Sequence, residues 1–169
     1  MNDKGINELI SAWEGLLKSH LNIKLLLVGP FEDRDSVPET VKTYISNTPS
    51  IIHTGLIGDI APYYALMNIF ILPSYREGFP TSVLEASAME LPVLTTKATG
   101  CRDSIIEGHT GMFISFDISD IIDKVSIYLN NPSFALAHGK NGRSFVLENF
   151  QQERLWEEIG EKIYNNDQL

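Results

Sequence analysis

The sequence predicts an α/β fold: a parallel sheet with helices on both faces. Three observations carry this. Short apolar runs of strand length recur, among them Leu25-Leu26-Leu27-Val28, Ile69-Phe70-Ile71-Leu72 and Pro92-Val93-Leu94-Thr95. The first of these runs carries no polar residue, as expected where a strand is buried on both faces. Segments with apolar residues at helical spacing lie between the runs, and no internal repeat, linker or low-complexity tract breaks the alternation.

Each element follows from its own residues. Ile6, Leu9, Ile10, Trp13, Leu16 and Leu17 mark one face of a first helix. The strand at 25–28 stops at Gly29-Pro30. Ser36 to Ile45 reads as a helix and Ile51-Ile52-His53 as a second strand. Pro62 to Met67 fits a short helix, and the strand at 69–72 stops at Pro73. Pro80 to Glu90 reads as a helix with proline in its first turn, where the missing N–H costs nothing. The run at 92–95 is a fourth strand and Met112-Phe113-Ile114 a fifth. Ile118, Ile121, Ile122, Val125 and Leu129 give an amphipathic helix, and Pro132 to Leu147 a helix interrupted by glycines. Leu155, Trp156, Ile159 and Ile163 mark a closing helix over residues 151–165. Residues 1–169 make a single domain on length alone.

Composition narrows the function. With 43% hydrophobic and 21% charged residues the chain is an ordinary globular one. Acidic residues outnumber basic ones 22 to 13, for a net charge of −9, and no basic run reverses this locally. No nucleic-acid partner is expected, and the charge disfavours adsorption to anionic membrane surfaces. The single cysteine, Cys101, rules out an internal disulfide and a cysteine-rich zinc site, so a reducing cytoplasm is expected. No apolar stretch approaches the roughly 20 residues that span a bilayer. Met1-Asn2-Asp3-Lys4-Gly5 lacks the apolar core of a secretory leader.

Ligands of open parallel sheets bind beyond the carboxyl ends of the strands. The loop after the third strand is the most informative: Pro73-Ser74-Tyr75-Arg76-Glu77-Gly78-Phe79-Pro80-Thr81-Ser82-Val83-Leu84-Glu85-Ala86. Glu77 falls in the loop and Glu85 in the second turn of the following helix, so both can face one cleft. Between them lies a helix N-terminus, whose free N–H groups and dipole favour an anion. Gly78 lets a ligand approach the backbone. Carboxylates accept paired hydrogen bonds from vicinal hydroxyls, so the set suits a ligand with phosphates and sugar hydroxyls, such as a nucleotide-sugar. By spacing alone, the pair reads equally well as a helix-surface residue and a loop charge.

Glu77 to Glu85 resembles the E-x7-E motif of retaining GT-B glycosyltransferases of the family 4, or group 1, type. The surroundings match as well: Pro73-Ser74 before it, Glu85-Ala86-Ser87-Ala88 at its end, Leu91-Pro92-Val93 as the next strand, then Gly100 and Glu107-Gly108-His109-Thr110-Gly111. Lys4-Gly5 with Leu9-Ile10 looks like the family's phosphate-binding lysine segment. Val28-Gly29 and His53-Thr54-Gly55 look like its glycine turns. The likeness spans nearly the whole chain.

The resemblance implies the C-terminal, donor-binding half of a GT-B fold, a Rossmann-like domain. The family's first strand, central in the sheet, is expected to have no counterpart here, which leaves the continuity of the sheet at that place open. It also implies roles. Glu85 binds the ribose hydroxyls of the nucleotide, and Glu77 contacts hydroxyls of the transferred sugar. The Thr81 and Ser82 backbone N–H groups hold the diphosphate. Lys4 neutralises charge on the leaving phosphate, and Gly78 and Phe79 shape the sugar pocket. The reaction retains anomeric configuration by front-face attack, uses a nucleotide-sugar as donor, and needs no cofactor and no metal. The product is a polysaccharide or glycoconjugate. An N-terminal acceptor domain is the implied partner, packed near the final helix and able to bring the enzyme to a membrane periphery. Without that domain the chain is expected to be inactive alone, with its final helix exposed and prone to self-association. The alternatives are a non-catalytic nucleotide-sugar-binding subunit of a two-chain transferase and, more remotely, a GT-B epimerase or phosphorylase.

Other residues carry weaker signals. Asp33-Arg34-Asp35 resembles the D-x-D of metal-dependent transferases but reads more simply as an acidic loop. His20, His53, His109 and His138 show no metal-ligand spacing, although His53 ends a strand near a nucleotide base. Cys101 reads as a small buried thiol, with its neighbour Arg102 a possible cause of a lowered pKa.

Overall fold

The computed structural model describes residues 2–31 and 36–150. Strands β1 (Leu25–Leu27) and β2 (Ile51–His53) pair in parallel, with Leu26 opposite Ile52. Strands β3 (Phe70–Leu72), β4 (Val93–Thr95) and β5 (Gly111–Phe113) form a second parallel group, with Ile71, Leu94 and Met112 in register. Helices α1 (Ile6–Leu16), α2 (Glu39–Asn47), α3 (Ala61–Tyr64), α4 (Thr81–Ala88), α5 (Ile118–Asn130) and α6 (Pro132–Asn149) connect and cover them.

The two faces can be read from one strand. Val93 and Leu94 of β4 are both fully buried, yet they belong to different core clusters. Leu94 joins Leu9, Trp13 and Leu16 of α1 and Ile121 and Val125 of α5. Val93 joins Tyr64 of α3 and Val83 and Ala86 of α4. Successive side chains of a strand point to opposite faces, so a strand that is apolar throughout demands helices on both sides. Accordingly α1 packs on α5 and α4 on α6. Trp13 also ties α1 to the approach of β2, its Nε1 donating to Ser50 Oγ at 3.0 Å.

The sheet divides between β1 and β3. Among the described residues each of these strands is paired along one edge only. A cavity of about 920 Å³ is lined by both, by Leu9 and Trp13 of α1, and by Lys4 and Ser82.

Several boundaries differ from the sequence reading. Helix α2 starts at Glu39 rather than Ser36, because Pro38 caps it at ψ 143° and the residue before a proline is driven to extended conformations. Helix α3 ends at Tyr64, and Leu66 and Met67 continue it only as turns. Pro80 lies just outside α4 at ψ 69° rather than in its first turn. Helix α4 ends at Ala88, and Glu90 takes a left-handed φ of 61° beyond it. Helix α6 runs on to Asn149. The expected closing helix at 151–165 and Asp33-Arg34-Asp35 lie outside the described residues.

Candidate functional site

The loop that follows β3 is braced from two sides. The Tyr75 N–H and the Ser74 hydroxyl both donate to the Asp3 carbonyl, at 2.7 and 2.8 Å. Arg76 Nε donates to Asp3 Oδ2 at 2.7 Å. These bonds fix the start of the chain against the carboxyl end of β3 and bring in Lys4. Lys4 Nζ lies 2.6 Å from Glu77 Oε1, in an ion pair whose carboxylate side chain is only 11% exposed. On the other side the Glu77 N–H donates to the Thr99 carbonyl at 3.0 Å. Gly100 has a left-handed φ of 84°, and a Cβ there would run into the Glu77 carbonyl. Only glycine allows this approach. Two sequence candidates that are 73 residues apart, Lys4 and Glu77, are thus brought into contact.

The second carboxylate has a different setting. Glu85 lies on the exposed side of α4, and its Oε2 accepts a hydrogen bond from Tyr64 at 2.9 Å. The same hydroxyl lies 3.3 Å from the Ser82 carbonyl. The Tyr64 pKa is pushed well above its ordinary value, first by burial and then by its bond to the Glu85 carboxylate and that group's charge. The sequence reading missed Tyr64. A tyrosine at an apolar strand approach carries a usable signal, since a buried phenol needs an acceptor.

Ser82 is half-buried in the first turn of α4, and no described residue accepts its N–H. The Thr81 N–H, by contrast, turns back onto the Phe79 carbonyl at 2.9 Å. Gly78 is exposed, and a Cβ on it would meet nothing within 4 Å. Phe79 is 60% exposed, with its ring centroid 6.1 Å from that of Phe150. The loop therefore offers open backbone and an exposed aromatic beside the two carboxylates.

Other candidates settle into structural places. His53 Nε2 lies 2.7 Å from the Gly29 carbonyl, with its ring against Phe31. His138 is buried, with Nδ1 2.8 Å from the Tyr128 hydroxyl. Cys101 is a fully buried thiol, and burial raises its pKa. A lowered value beside Arg102 is thereby corrected: Arg102 is exposed and desolvation dominates at the sulfur. Among the described residues no group of three or more His, Cys, Asp or Glu could hold a metal ion, and no helix is long and apolar enough to cross a membrane.

Residues 1–131 match the protein family described as glycosyl transferases group 1. The chain belongs to this family. Among its group 1 relatives is the capsular polysaccharide biosynthesis glycosyltransferase CapM of Staphylococcus aureus, 34% identical over 98% of this chain and 43% of that protein. The chain thus spans less than half the length of this relative. Its fold is that of the C-terminal half of GT-B glycosyltransferases. The crystallised C-terminal domain of the group 1 protein LpcC from Francisella tularensis superposes with a TM-score of 0.81 at 24% identity, over 90% of this chain and 82% of that one. The Anabaena protein HepE, solved with UDP and glucose, superposes with a TM-score of 0.85 at 19% identity, over 97% of this chain and 45% of that one.

Proposed function

We propose that this chain is the donor-binding domain of a retaining glycosyltransferase that transfers a sugar from a nucleotide-sugar to a glycan or glycoconjugate acceptor. The observation that carries the reading is the Lys4–Glu77 ion pair at the carboxyl end of β3, beside the N-terminus of α4. A cation, a helix N-terminus and two carboxylates able to accept from hydroxyls share one stretch of the domain, and this set complements the anionic phosphates and hydroxyl donors of a sugar diphosphate ester. The capsular role of CapM favours polysaccharide assembly. The UDP and glucose held by HepE make UDP and UDP-glucose the first ligands to test.

In this reading the Ser82 N–H and the positive end of α4 receive the diphosphate, with Lys4 beside it. Glu85 accepts hydrogen bonds from the ribose and Glu77 from the sugar. As the bond from the anomeric carbon to the phosphate oxygen breaks, negative charge grows on the leaving diphosphate, and Lys4 stabilises it where it develops. The acceptor hydroxyl attacks the same face, and its proton passes to the departing phosphate oxygen, so configuration is retained. No metal takes part. The Thr81 N–H joins the phosphate contacts only by releasing the Phe79 carbonyl.

Calorimetric titration tests the assignment. A hydrogen bond to a charged group is worth roughly 1.5–3 kcal/mol, so Glu85→Ala should weaken UDP about tenfold to a hundredfold. Glu77→Ala should leave UDP nearly unchanged and weaken UDP-glucose. Chelator should leave both affinities intact. Unchanged UDP affinity in Glu85→Ala overturns the reading.

A further inference from the structure

We propose that Tyr64 is a positioning residue for Glu85, holding one carboxylate oxygen so that the other is presented to the ribose hydroxyls of a nucleotide. This rests on the donor-binding reading above and extends it to a residue on a different element. Helix α3 ends at Tyr64, only 2% exposed and set in the core cluster that also holds Val83 and Ala86 of α4. Its ring meets Phe70 of β3 edge-on, at 5.9 Å between centroids. The ring therefore has no freedom of its own, and its hydroxyl emerges under the first two turns of α4. There it reaches Glu85 Oε2 at 2.9 Å, a shorter approach than the 3.3 Å to the Ser82 carbonyl, so the single phenolic proton is given to the carboxylate.

An exposed glutamate otherwise samples several rotamers and must be ordered by the ligand it binds. A rigid donor removes that ordering in advance, which is the general gain from preorganisation. A carboxylate has about four acceptor positions, so one bond from Tyr64 leaves the vicinal hydroxyls of a ribose enough acceptors. The phenol stays protonated across the physiological range, its pKa raised by burial. It remains a donor whenever Glu85 is ionised.

Tyr64→Phe removes the hydroxyl and keeps the ring. Glu85 is exposed, so water takes up the freed oxygen and no buried acceptor is stranded in its side chain. The variant should keep the melting temperature of the parent chain to within a few degrees. UDP, GDP and ADP are titrated with their 2′,3′-dideoxy analogues, and the tightest pair is used. The proposal predicts that Tyr64→Phe weakens the ribose form about three- to tenfold and leaves the dideoxy form unchanged, because only the former uses the presented oxygen. It further predicts that Tyr64→Phe added to Glu85→Ala weakens binding no further than Glu85→Ala alone. A purely structural tyrosine would weaken both forms together or neither, and either result overturns the proposal. If Glu85→Ala weakens binding and Tyr64→Phe does not, the tether fails and the donor-binding reading stands. If Glu85→Ala binds like the parent, or the parent binds none of the three nucleotides, the donor-binding reading itself fails and the proposal with it.

Discussion

Lys4 and Glu77 are the residues whose chemistry is most exposed to test. Glu77 is largely shielded and its carboxylate faces Lys4, so removing the lysine takes away the cation assigned to the phosphate and leaves an unpaired carboxylate beside it. Lys4→Ala should lower nucleoside diphosphate affinity about tenfold, and added salt should erode the difference because part of the effect is long-range charge. Titration at two ionic strengths checks this. His138 gives an independent test of the interior. The raised pKa of Tyr128, caused first by burial and then by Glu107, keeps that phenol protonated, so it donates and Nδ1 of His138 accepts. Burial holds the imidazole pKa below its ordinary value of about 6.5, outweighing a raising effect from the Gly108 backbone, with a lesser lowering from His109 and a raising one from Glu107. The folded state thus binds that proton less tightly than the unfolded chain, and the stability His138 confers is complete above this value and is lost as the pH falls through it. Urea midpoints should fall from about pH 7.5 to about 5.5 in the parent and stay flatter in His138→Gln. Asp120 is lowered as well, its carboxyl held down chiefly by the Ser115 N–H, so its contribution to stability is complete above about 3.8 and is lost only as the pH falls below that value.

At the scale of elements, the helices are held by different devices. Helix α5 has a capping side chain: Asp117 Oδ1 accepts from the Ser119 N–H and hydroxyl, both at 2.9 Å. Asp117→Ala should cost about 0.5–2 kcal/mol in urea denaturation, with nucleotide affinity unchanged. Helix α4 has no such cap, and the N–H groups of its first turn are left for a ligand or for the loop. Gly100 holds that loop in place, and Gly100→Ala combines a left-handed φ of 84° with a Cβ driven at the Glu77 carbonyl. It should cost about 1–3 kcal/mol and weaken UDP-glucose more than UDP. The glycines of α6 read in the sequence as interruptions and prove to be contacts. At Gly139 a Cβ would strike the Glu90 carbonyl, so the helix can lie close to the end of α4 only without one. Their meaning depends on a partner far along the chain, which local spacing does not reveal.

For the whole molecule, the apolar runs were legible because a strand buried on both faces must be apolar throughout, as Val93 and Leu94 show by joining opposite cores. The helix ends were less so, since Pro38 and Pro80 act through backbone angles that composition does not display. That Glu77, Glu85 and Lys4 were worth attention could be read locally, from the loop after the third strand and from the Lys4-Gly5 segment. Their partners could not: Tyr64 reaches Glu85 across 21 residues, and Asp3 reaches Tyr75 only through the folded sheet. The division between β1 and β3 leaves a cavity of about 920 Å³ that runs from Lys4 and Ser82 to the apolar side chains between the strands, so a ligand in it can sit at either of two positions. A crystal structure of this chain soaked with UDP separates them most directly. The diphosphate should lie at the α4 N-terminus beside Lys4, with the ribose hydroxyls on Glu85. UDP lying instead among the apolar side chains between β1 and β3, with Glu85 untouched, would contradict it.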